Sequence, residues 1–228
     1  MQHLLLLHGA IGSSTQFDAL APLLKEQFKI TALDFCGHGG MPVPTNEFSI
    51  ELFANDVLKW LDQNKIQTID IFGYSMGGYV ALYLAKHYPE RVGKIFTFAT
   101  KFNWTPDGAV KEAAMLNADK IEEKVPAFAK ALELRHGTEN WKNVLPKTAD
   151  MMLALGKQPA LTHDQLRGIN HSVLVSVGDR DNMVSLEETI AVYRSLKNGQ
   201  LLVLPNTQHP FEKVNVQRIA SEIFHYFN

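Results

Sequence analysis

A serine lies in the sequence GYSMG at 73–77, between an apolar run and a stretch with helical periodicity. In this context the G-x-S-x-G pattern predicts a sharp turn from a buried strand into a helix. Such a turn would raise the hydroxyl of Ser75 above the strand end, where it could attack an acyl carbon, and the two glycines leave room for the backbone. A serine hydroxyl is a poor nucleophile at neutral pH, so this chemistry requires an adjacent base and an acid that orients the base.

His209 is the histidine best placed to be that base. It lies in the segment 205–211, directly after the last predicted strand, at the sheet edge that also carries Ser75. His8 and His38 lie in other loops at strand ends, where they could contact a pocket or stabilise turns. Of the remaining six, three lie in predicted strands or helices (His3, His87 and His225), two lie in the segment 101–168 (His136 and His163), and His171 precedes a strand.

Two aspartates compete for the role of the acid that orients the imidazole. Both follow the fifth predicted strand, in the sequence GDRDN at 178–182. Asp181 lies where the chain has left the strand and turned, which favours a sideways reach to His209. Asp179, beside Arg180, is better suited to a turn or a salt bridge. We therefore predict Asp181, with Asp179 as the alternative.

A tetrahedral intermediate at an acyl carbon needs hydrogen-bond donors for its negative oxygen. The first predicted strand ends in the glycine-rich sequence HGAIGSS at 8–14. This turn can direct the N–H of Ala10 towards Ser75, and the N–H of Met76 would be the second donor. The alternative is a tight turn between a strand and a helix that binds no ligand.

Short β-type runs alternate with longer helical ones, which indicates a mostly parallel sheet with helices on both faces. The strand candidates are 3–7, 29–33, 68–72, 94–99, 173–177 and 201–204. Helical periodicity predicts helices over 49–65, 75–87 and 212–227. A further helix should begin at Ser185, which can form a capping box with Glu188.

Residues 101–168 interrupt this alternation, with helical segments at 108–124, 126–136 and 147–156 but no strand pattern. Helices inserted between two strands must lie on the rim of the sheet, and this rim carries Ser75. We therefore predict a helical lid, 101–168, inserted into a core formed by residues 1–100 and 169–228. Six large apolar residues could line a pocket, although packing within the lid is the favoured role: Phe102, Trp104, Met115, Trp141, Met151 and Met152.

The composition is ordinary for a globular protein, with 46% apolar residues, 20% charged residues and a formal net charge of −2. This charge does not favour nucleic acid or an anionic membrane as a partner. No apolar stretch approaches the roughly 20 residues that cross a bilayer, and the N-terminus lacks signal-peptide features. The single cysteine, Cys36, excludes an internal disulfide and fits a reducing cytoplasm. We expect a cytoplasmic protein that needs no metal or cofactor.

Five features together resemble the α/β-hydrolase superfamily: HGAIGSS (8–14), DFCGHGG (34–40), GYSMGG (73–78), GDRD (178–181) and the late histidine at 209. The resemblance covers nearly the whole chain, and the order Ser, Asp, His is the order of that fold. It implies an α/β-hydrolase fold with about six strands and a helical lid. It also implies Ser75 as nucleophile, His209 as general base and acid, Asp181 as orienting acid, and the amides of Ala10 and Met76 as the oxyanion hole.

The chain departs from the superfamily pattern at two places. Most relatives carry an antiparallel hairpin before the strand that ends in HG, whereas this chain starts within that strand. We therefore expect six strands with 29–33 at an exposed edge, which allows a monomer or a homodimer. Cys36 occupies a position where relatives usually have proline or arginine, and we interpret it as a neutral packing substitution.

The resemblance implies hydrolysis of a small carboxylic ester or related acyl compound, with that acyl substrate as the expected partner. Serine at the turn argues against the dehalogenases and epoxide hydrolases, which use aspartate there. Two alternatives remain. DFCGHGG with a small lid also resembles lyases of the menaquinone pathway, but these relatives usually carry arginine where Tyr79 lies. A ligand receptor that retains the triad is the other, and no residue favours it.

Overall fold

A six-stranded sheet organises the computed structural model, which describes residues 1–228. Its strands are β1 (Gln2–Leu7), β2 (Phe28–Leu33), β3 (Ile69–Tyr74), β4 (Val92–Phe98), β5 (Ser172–Gly178) and β6 (Asn198–Leu204). They pair in the order β2-β1-β3-β4-β5-β6, and every pair is parallel. The predicted fold class is confirmed, and the sheet is wholly rather than mostly parallel. All six predicted strands exist, with bounds that shift by up to three residues.

Ten α-helices connect and cover the strands. They are α1 (Ala21–Leu24), α2 (Ile50–Gln63), α3 (Met76–His87), α4 (Pro106–Ala113), α5 (Ala118–Lys124), α6 (Pro126–His136), α7 (Asn140–Lys157), α8 (His163–Arg167), α9 (Leu186–Ser195) and α10 (Val216–Phe227). The capping box predicted at the start of α9 is present, since Ser185 and Glu188 bond reciprocally. The last helix begins later than predicted because Asn215 caps it, and a 3₁₀ turn occupies Phe211–Lys213.

Both faces of the sheet are covered by apolar clusters. Alternate residues of a strand point to opposite faces. Accordingly, Leu5 and Leu7 join a cluster of 30 buried residues with α2, α3 and α9, whereas Leu4 and Leu6 join one of 20 with α1 and α10. Burial on both faces explains why β1 reads as a continuous apolar run. Packing on both faces holds the carboxyl ends of the strands side by side along one edge of the sheet.

Helices α4 to α8 lie between β4 and β5, within the segment 101–168. The predicted helix over 108–124 is two helices, because the side chain of Asn117 accepts a hydrogen bond from the Lys120 N–H and begins a new one. The helix predicted over 147–156 extends to Asn140–Lys157, and α8 was not predicted. The segment has a small apolar cluster of its own: Ile121, Ala129, Leu132, Trp141 and Leu145.

Strands β2 and β6 form the two edges of the sheet. The prediction of a six-stranded sheet with 29–33 at an edge is therefore confirmed, while pairing with a second chain there stays a prediction. None of the helices combines the length and the hydropathy that crossing a bilayer requires.

Candidate active site

Ser75 occupies a strained turn between β3 and α3. Its backbone has φ 51° and ψ −116°, a conformation that non-glycine residues rarely adopt. Its N–H donates to the carbonyl of Phe98 at 2.8 Å. A Cβ atom on Gly73 would lie 2.5 Å from the Gly78 nitrogen, and one on Gly77 would lie 2.1 Å from the Leu7 oxygen. The two glycines of the motif are therefore required by backbone contacts on either side of the serine.

Three of the predicted site residues meet at the carboxyl edge of the sheet. Nε2 of His209 lies 3.4 Å from Oγ of Ser75, and Nδ1 of His209 lies 2.8 Å from Oδ2 of Asp181. A carboxylate only accepts, so Nδ1 carries the proton and Nε2 is left as an acceptor facing the serine hydroxyl. A bond of 3.4 Å is long, as is common for such pairs before substrate binds.

The backbone holds Asp181 in this orientation. Its Oδ1 accepts hydrogen bonds from the N–H groups of Met183 and Val184, both at 2.8 Å, and its side chain is 0% exposed. Asp179 is exposed and accepts from the Thr207 N–H at 3.2 Å instead. The structure therefore brings Asp181, and not Asp179, to the imidazole.

Sequence reasoning missed two side chains that support this arrangement. The hydroxyl of Tyr74 donates to the carbonyl of His209 at 3.0 Å and ties the histidine loop to the strand that carries Ser75. Burial raises the pKa of Tyr74, so the phenol keeps its proton. The hydroxyl of Thr100 donates to the carbonyl of Ser75 at 3.0 Å. Because both contacts use backbone carbonyls, no residue pattern in the sequence could indicate them.

The turn after β1 lies against the serine. It closes with a hydrogen bond from the Gly12 N–H to the Gly9 carbonyl at 3.0 Å, and a Cβ atom on Gly9 would lie 3.2 Å from Cβ of Ser75. The N–H of Ala10 donates to no group of the protein. Met76 is the first residue of α3, where the helix dipole favours negative charge. Both predicted amides therefore border the same space beside Ser75.

A cavity of about 260 Å³ opens above Ser75 and His209, and fifteen of its twenty-four lining residues are apolar. Of the six apolar residues considered, Trp104, Met115, Met151 and Met152 line it, whereas Phe102 and Trp141 do not. These four side chains therefore face the cavity, and Met151 and Trp104 also have the packing role that was favoured, since Met151 belongs to the main core and Trp104 packs against it. Trp141 belongs to the cluster within the helical segment, and Phe102 packs against the main core.

The charged residues that line the cavity form two ion pairs. Lys101 contacts Glu112 at 2.7 Å, with side chains 18% and 13% exposed. Arg135 contacts Glu212 at 3.2 Å, with side chains 16% and 57% exposed. Each cation is therefore matched by a carboxylate.

His8 and His38 lie behind the site and do not line the cavity. Both are 0% exposed, with ring centroids 5.1 Å apart. Nε2 of His8 accepts from the Phe35 N–H at 3.3 Å, and Nδ1 of His38 lies 3.1 Å from the Cys36 carbonyl oxygen. Of the two roles that the sequence left open, the structure assigns them that of stabilising loops.

The stability of the protein should fall in acid because of His8. Burial lowers its pKa to about 3, so the unfolded chain takes up this proton near pH 6.5 while the folded chain does not. The neutral ring contributes fully to the free energy of unfolding above pH 6.5. This contribution is lost as the pH falls towards 3, by about 1.4 kcal/mol per pH unit. We therefore expect the free energy of unfolding, measured in urea between pH 6 and 4, to depend on pH less steeply in His8→Gln than in the parent, by about that amount.

The exposed His225 provides the control for this measurement. His225→Gln removes an imidazole from the surface of α10 and is measured beside His8→Gln. An equal slope in the parent and in His8→Gln would mean that His8 binds its proton in the folded state.

Replacing Asp181 with asparagine should lower kcat for a p-nitrophenyl ester by about 10⁴-fold. The amide would keep the shape of the carboxylate but could hold the imidazole in the wrong tautomer, with the proton on Nε2. Asp179→Asn is the matched control, since its side chain lies outside the site, and it should stay within about threefold of the parent. If Asp179→Asn proved the more damaging change, the assignment of the orienting acid would be reversed.

Comparisons with known proteins agree with this architecture. Residues 2–164 match the family described as alpha/beta hydrolase fold. The chain is 30% identical over 227 residues to the pimeloyl-[acyl-carrier protein] methyl ester esterase of Neisseria meningitidis serogroup A, covering 90% of this chain and 70% of that protein. It is 24% identical over 212 residues to the Homo sapiens serine hydrolase BPHL, covering 90% and 72%. A thermophilic esterase structure from Thermogutta terrifontis superposes with a TM-score of 0.79 at 22% identity, over 100% of this chain and 89% of that one.

The chain belongs to the α/β-hydrolase fold family. Within that family it is an enzyme that hydrolyses ester bonds, and the prediction of this enzyme class is confirmed.

Proposed function

We propose that the protein hydrolyses small carboxylic esters through an acyl-enzyme formed on Ser75. The observation that carries this proposal is the chain of contacts Ser75–His209–Asp181, at 3.4 and 2.8 Å, on the wall of an apolar cavity. It joins a half-buried alcohol that borders the cavity, a base with its lone pair towards that alcohol, and a buried acid that fixes the base.

In the first half-reaction the Oγ of Ser75 attacks the ester carbon while Nε2 of His209 takes the hydroxyl proton. The carbonyl oxygen becomes negative and accepts hydrogen bonds from the N–H groups of Ala10 and Met76. The tetrahedral intermediate collapses with cleavage of the bond to the leaving oxygen, which receives the proton from His209 and departs as an alcohol. Ser75 is then esterified by the acyl group.

In the second half-reaction a water molecule replaces the alcohol. His209 takes a proton from the water, the resulting hydroxide attacks the acyl carbon, and the same two amides hold the oxyanion. Collapse releases the carboxylic acid, and the proton on His209 returns to Oγ of Ser75. Asp181 keeps its charge throughout, because its role is to hold Nδ1–H and to stabilise the imidazolium between the two proton transfers.

We propose an uncharged aliphatic acyl group as the substrate portion that enters the cavity. The lining is mostly apolar, and its two cations are already paired with Glu112 and Glu212, so a free carboxylate would find no unpaired positive charge there. The name of the Neisseria meningitidis relative specifies a methyl ester, which a small site beside Ser75 can accommodate. Residues 101–168 would act as the lid, since Trp104, Met115 and Met152 from this segment cover the cavity.

The lyase hypothesis requires a cation at the position of Tyr79. This tyrosine is 2% exposed, and its hydroxyl accepts a hydrogen bond from the Leu161 N–H at 3.0 Å. Burial raises the pKa of Tyr79 to about 12, so the side chain is neutral. Tyr79 therefore supports the wall of the cavity and does not favour a carboxylate-bearing substrate.

A stoichiometric label tests the proposal directly. A p-nitrophenyl alkylphosphonate should form a bond from phosphorus to Oγ of Ser75, release one p-nitrophenolate per protein chain, and abolish ester hydrolysis in proportion. Mass spectrometry of the peptides should find the adduct on the peptide that contains Ser75. Ester turnover that survives complete labelling of Ser75, or inactivation with the adduct on another residue, would contradict the proposal.

A further inference from the structure

The turn that carries the Ala10 amide includes an unusual backbone conformation. Ile11, the next residue, has φ 51°. For a β-branched side chain this left-handed region is an outlier, so the surrounding structure must hold the residue there. Release of Ile11 to an ordinary φ would reorganise the turn from Gly9 to Gly12 and, with it, the direction of the Ala10 N–H.

Two side chains from the helical segment hold the carbonyl of Ile11. Nη1 of Arg135 and Nε2 of His136 each donate a hydrogen bond to this oxygen at 2.9 Å. Both residues belong to the last turn of α6, more than 120 residues away in the sequence. No other group of the protein donates to the Ile11 carbonyl.

Each of the two side chains is itself fixed by a further contact. Nδ1 of His136 accepts a hydrogen bond from the Gly39 N–H at 3.2 Å, and the side chain is fully buried. This pair of bonds needs a neutral ring with its proton on Nε2, and burial lowers the pKa of His136 accordingly. Nη2 of Arg135 bonds Glu212, three residues after His209.

The two ends of the turn are held by Gln16, in the 3₁₀ turn Ser14–Phe17, and by Asp34, directly after β2. The Gly9 N–H donates to Oε1 of Gln16 at 3.2 Å, and both the N–H and the hydroxyl of Ser14 donate to the carboxylate of Asp34, at 2.6 and 2.8 Å. The strained residue lies between these two anchors. Its carbonyl accepts hydrogen bonds only from α6, while its side chain packs against both the main core and the apolar cluster of the helical segment. Hydrogen bonds to Gln16 and Asp34 therefore fix the two ends of the turn, and hydrogen bonds from α6 fix the carbonyl at its middle.

We propose that Arg135 and His136 are positioning residues for ester hydrolysis: by holding the carbonyl of Ile11 they keep the Ala10 N–H directed at the oxygen that becomes negative. The inference rests on the proposed function, in which that amide stabilises the oxyanion. The two side chains act through the turn, so their contribution belongs to the transition state more than to the bound ester. The helical segment thereby completes the oxyanion hole as well as covering the cavity.

The test compares Arg135→Met and His136→Leu with the parent on p-nitrophenyl butyrate. Loss of an oxyanion donor costs about a hundredfold to a thousandfold in kcat. A misdirected donor should cost part of that, so we expect kcat to fall about tenfold to a hundredfold in each variant, with KM within about threefold. Affinity for a trifluoromethyl ketone, which forms a hemiketal oxyanion on Ser75, should fall by the same factor as kcat/KM.

Two further variants separate positioning from folding. Lys130→Met removes an exposed ion pair from the same helix and should match the parent. His136→Gln offers an amide NH2 group as donor and a carbonyl oxygen as acceptor, and it should recover most of the loss seen in His136→Leu. If His136→Leu does not fold, Arg135→Met decides the question alone, because its partner Glu212 is largely exposed.

The outcomes distinguish this inference from the function on which it rests. If Arg135→Met keeps the kcat and the ketone affinity of Lys130→Met while Ser75→Ala is inactive, the inference is overturned and the proposed function stands. A rise in KM alone for Arg135→Met would also overturn it, since the arginine would then contact the bound ester. Turnover that persists in Ser75→Ala would instead overturn the proposed function.

Discussion

Replacing Ser75 with alanine should reduce kcat for p-nitrophenyl butyrate by about 10⁶-fold, a loss of the size measured when the serine of a comparable triad is removed. The variant keeps the cavity and the two amides, so a residual rate of about 10³-fold to 10⁴-fold over water should remain. The steady-state release of p-nitrophenolate gives kcat for both proteins, provided that each is freed of contaminating esterases. The fold should be unchanged, because alanine occupies the backbone turn as serine does.

Ser195→Ala is the matched control. The hydroxyl of Ser195 is engaged with the Ala191 carbonyl at 2.9 Å, at the end of α9 and outside the cavity, so its removal should change kcat by less than twofold. If Ser75→Ala kept more than about a hundredth of the parent rate, another nucleophile would have to be sought.

His209→Ala should cost nearly as much as the loss of Ser75, because a serine without its base is not activated. Members of a triad act as a unit, so the double variant Ser75→Ala with His209→Ala should be no slower than either single variant. Measurement of kcat for all three proteins on one ester tests both the magnitude and the non-additivity.

His163→Ala serves as the control for this series. His163 hydrogen-bonds the hydroxyl of Ser195 at 2.9 Å and lies at the surface of the helical segment. We therefore expect His163→Ala to have the same kcat as the parent. Additive losses in the double variant would mean that Ser75 and His209 contribute independently, and the proposed proton transfer between them would be wrong.

The sequence was sufficient to predict the sheet and the residues that meet at its edge. Strands buried on both faces appear as short apolar runs, and the residues after those runs must share one edge when the strands are parallel. Ser75, Asp181 and His209 follow β3, β5 and β6, so their meeting is a consequence of topology. The strand bounds were less accurate, since terminal residues such as Asn198 carry no apolar signal although they pair within the sheet.

The contacts that hold the turn at Ile11 could not be predicted in the same way. Arg135 and His136 bond a backbone carbonyl, and such an acceptor is identical at every position of a chain. A charged residue beside a histidine near a helix end is also common for electrostatic reasons alone. The pocket was ambiguous for a similar reason, because Trp104 and Trp141 belong to one residue type and only the packing of the helices assigns them different surroundings.

The insertion between β4 and β5 has a consequence for how enzymes of this architecture diversify. These two strands are neighbours in the sheet, and the inserted helices possess an apolar cluster of their own. Val144, Met151 and Leu155 of α7 nevertheless belong to the main apolar core, so an exchange of this segment between homologues would have to preserve that packing as well as supply a new cavity lining. If Arg135 and His136 position the Ala10 amide as proposed, a donor segment without their counterparts would leave the Ile11 carbonyl without its two hydrogen bonds, and turnover would have to be regained by separate mutations.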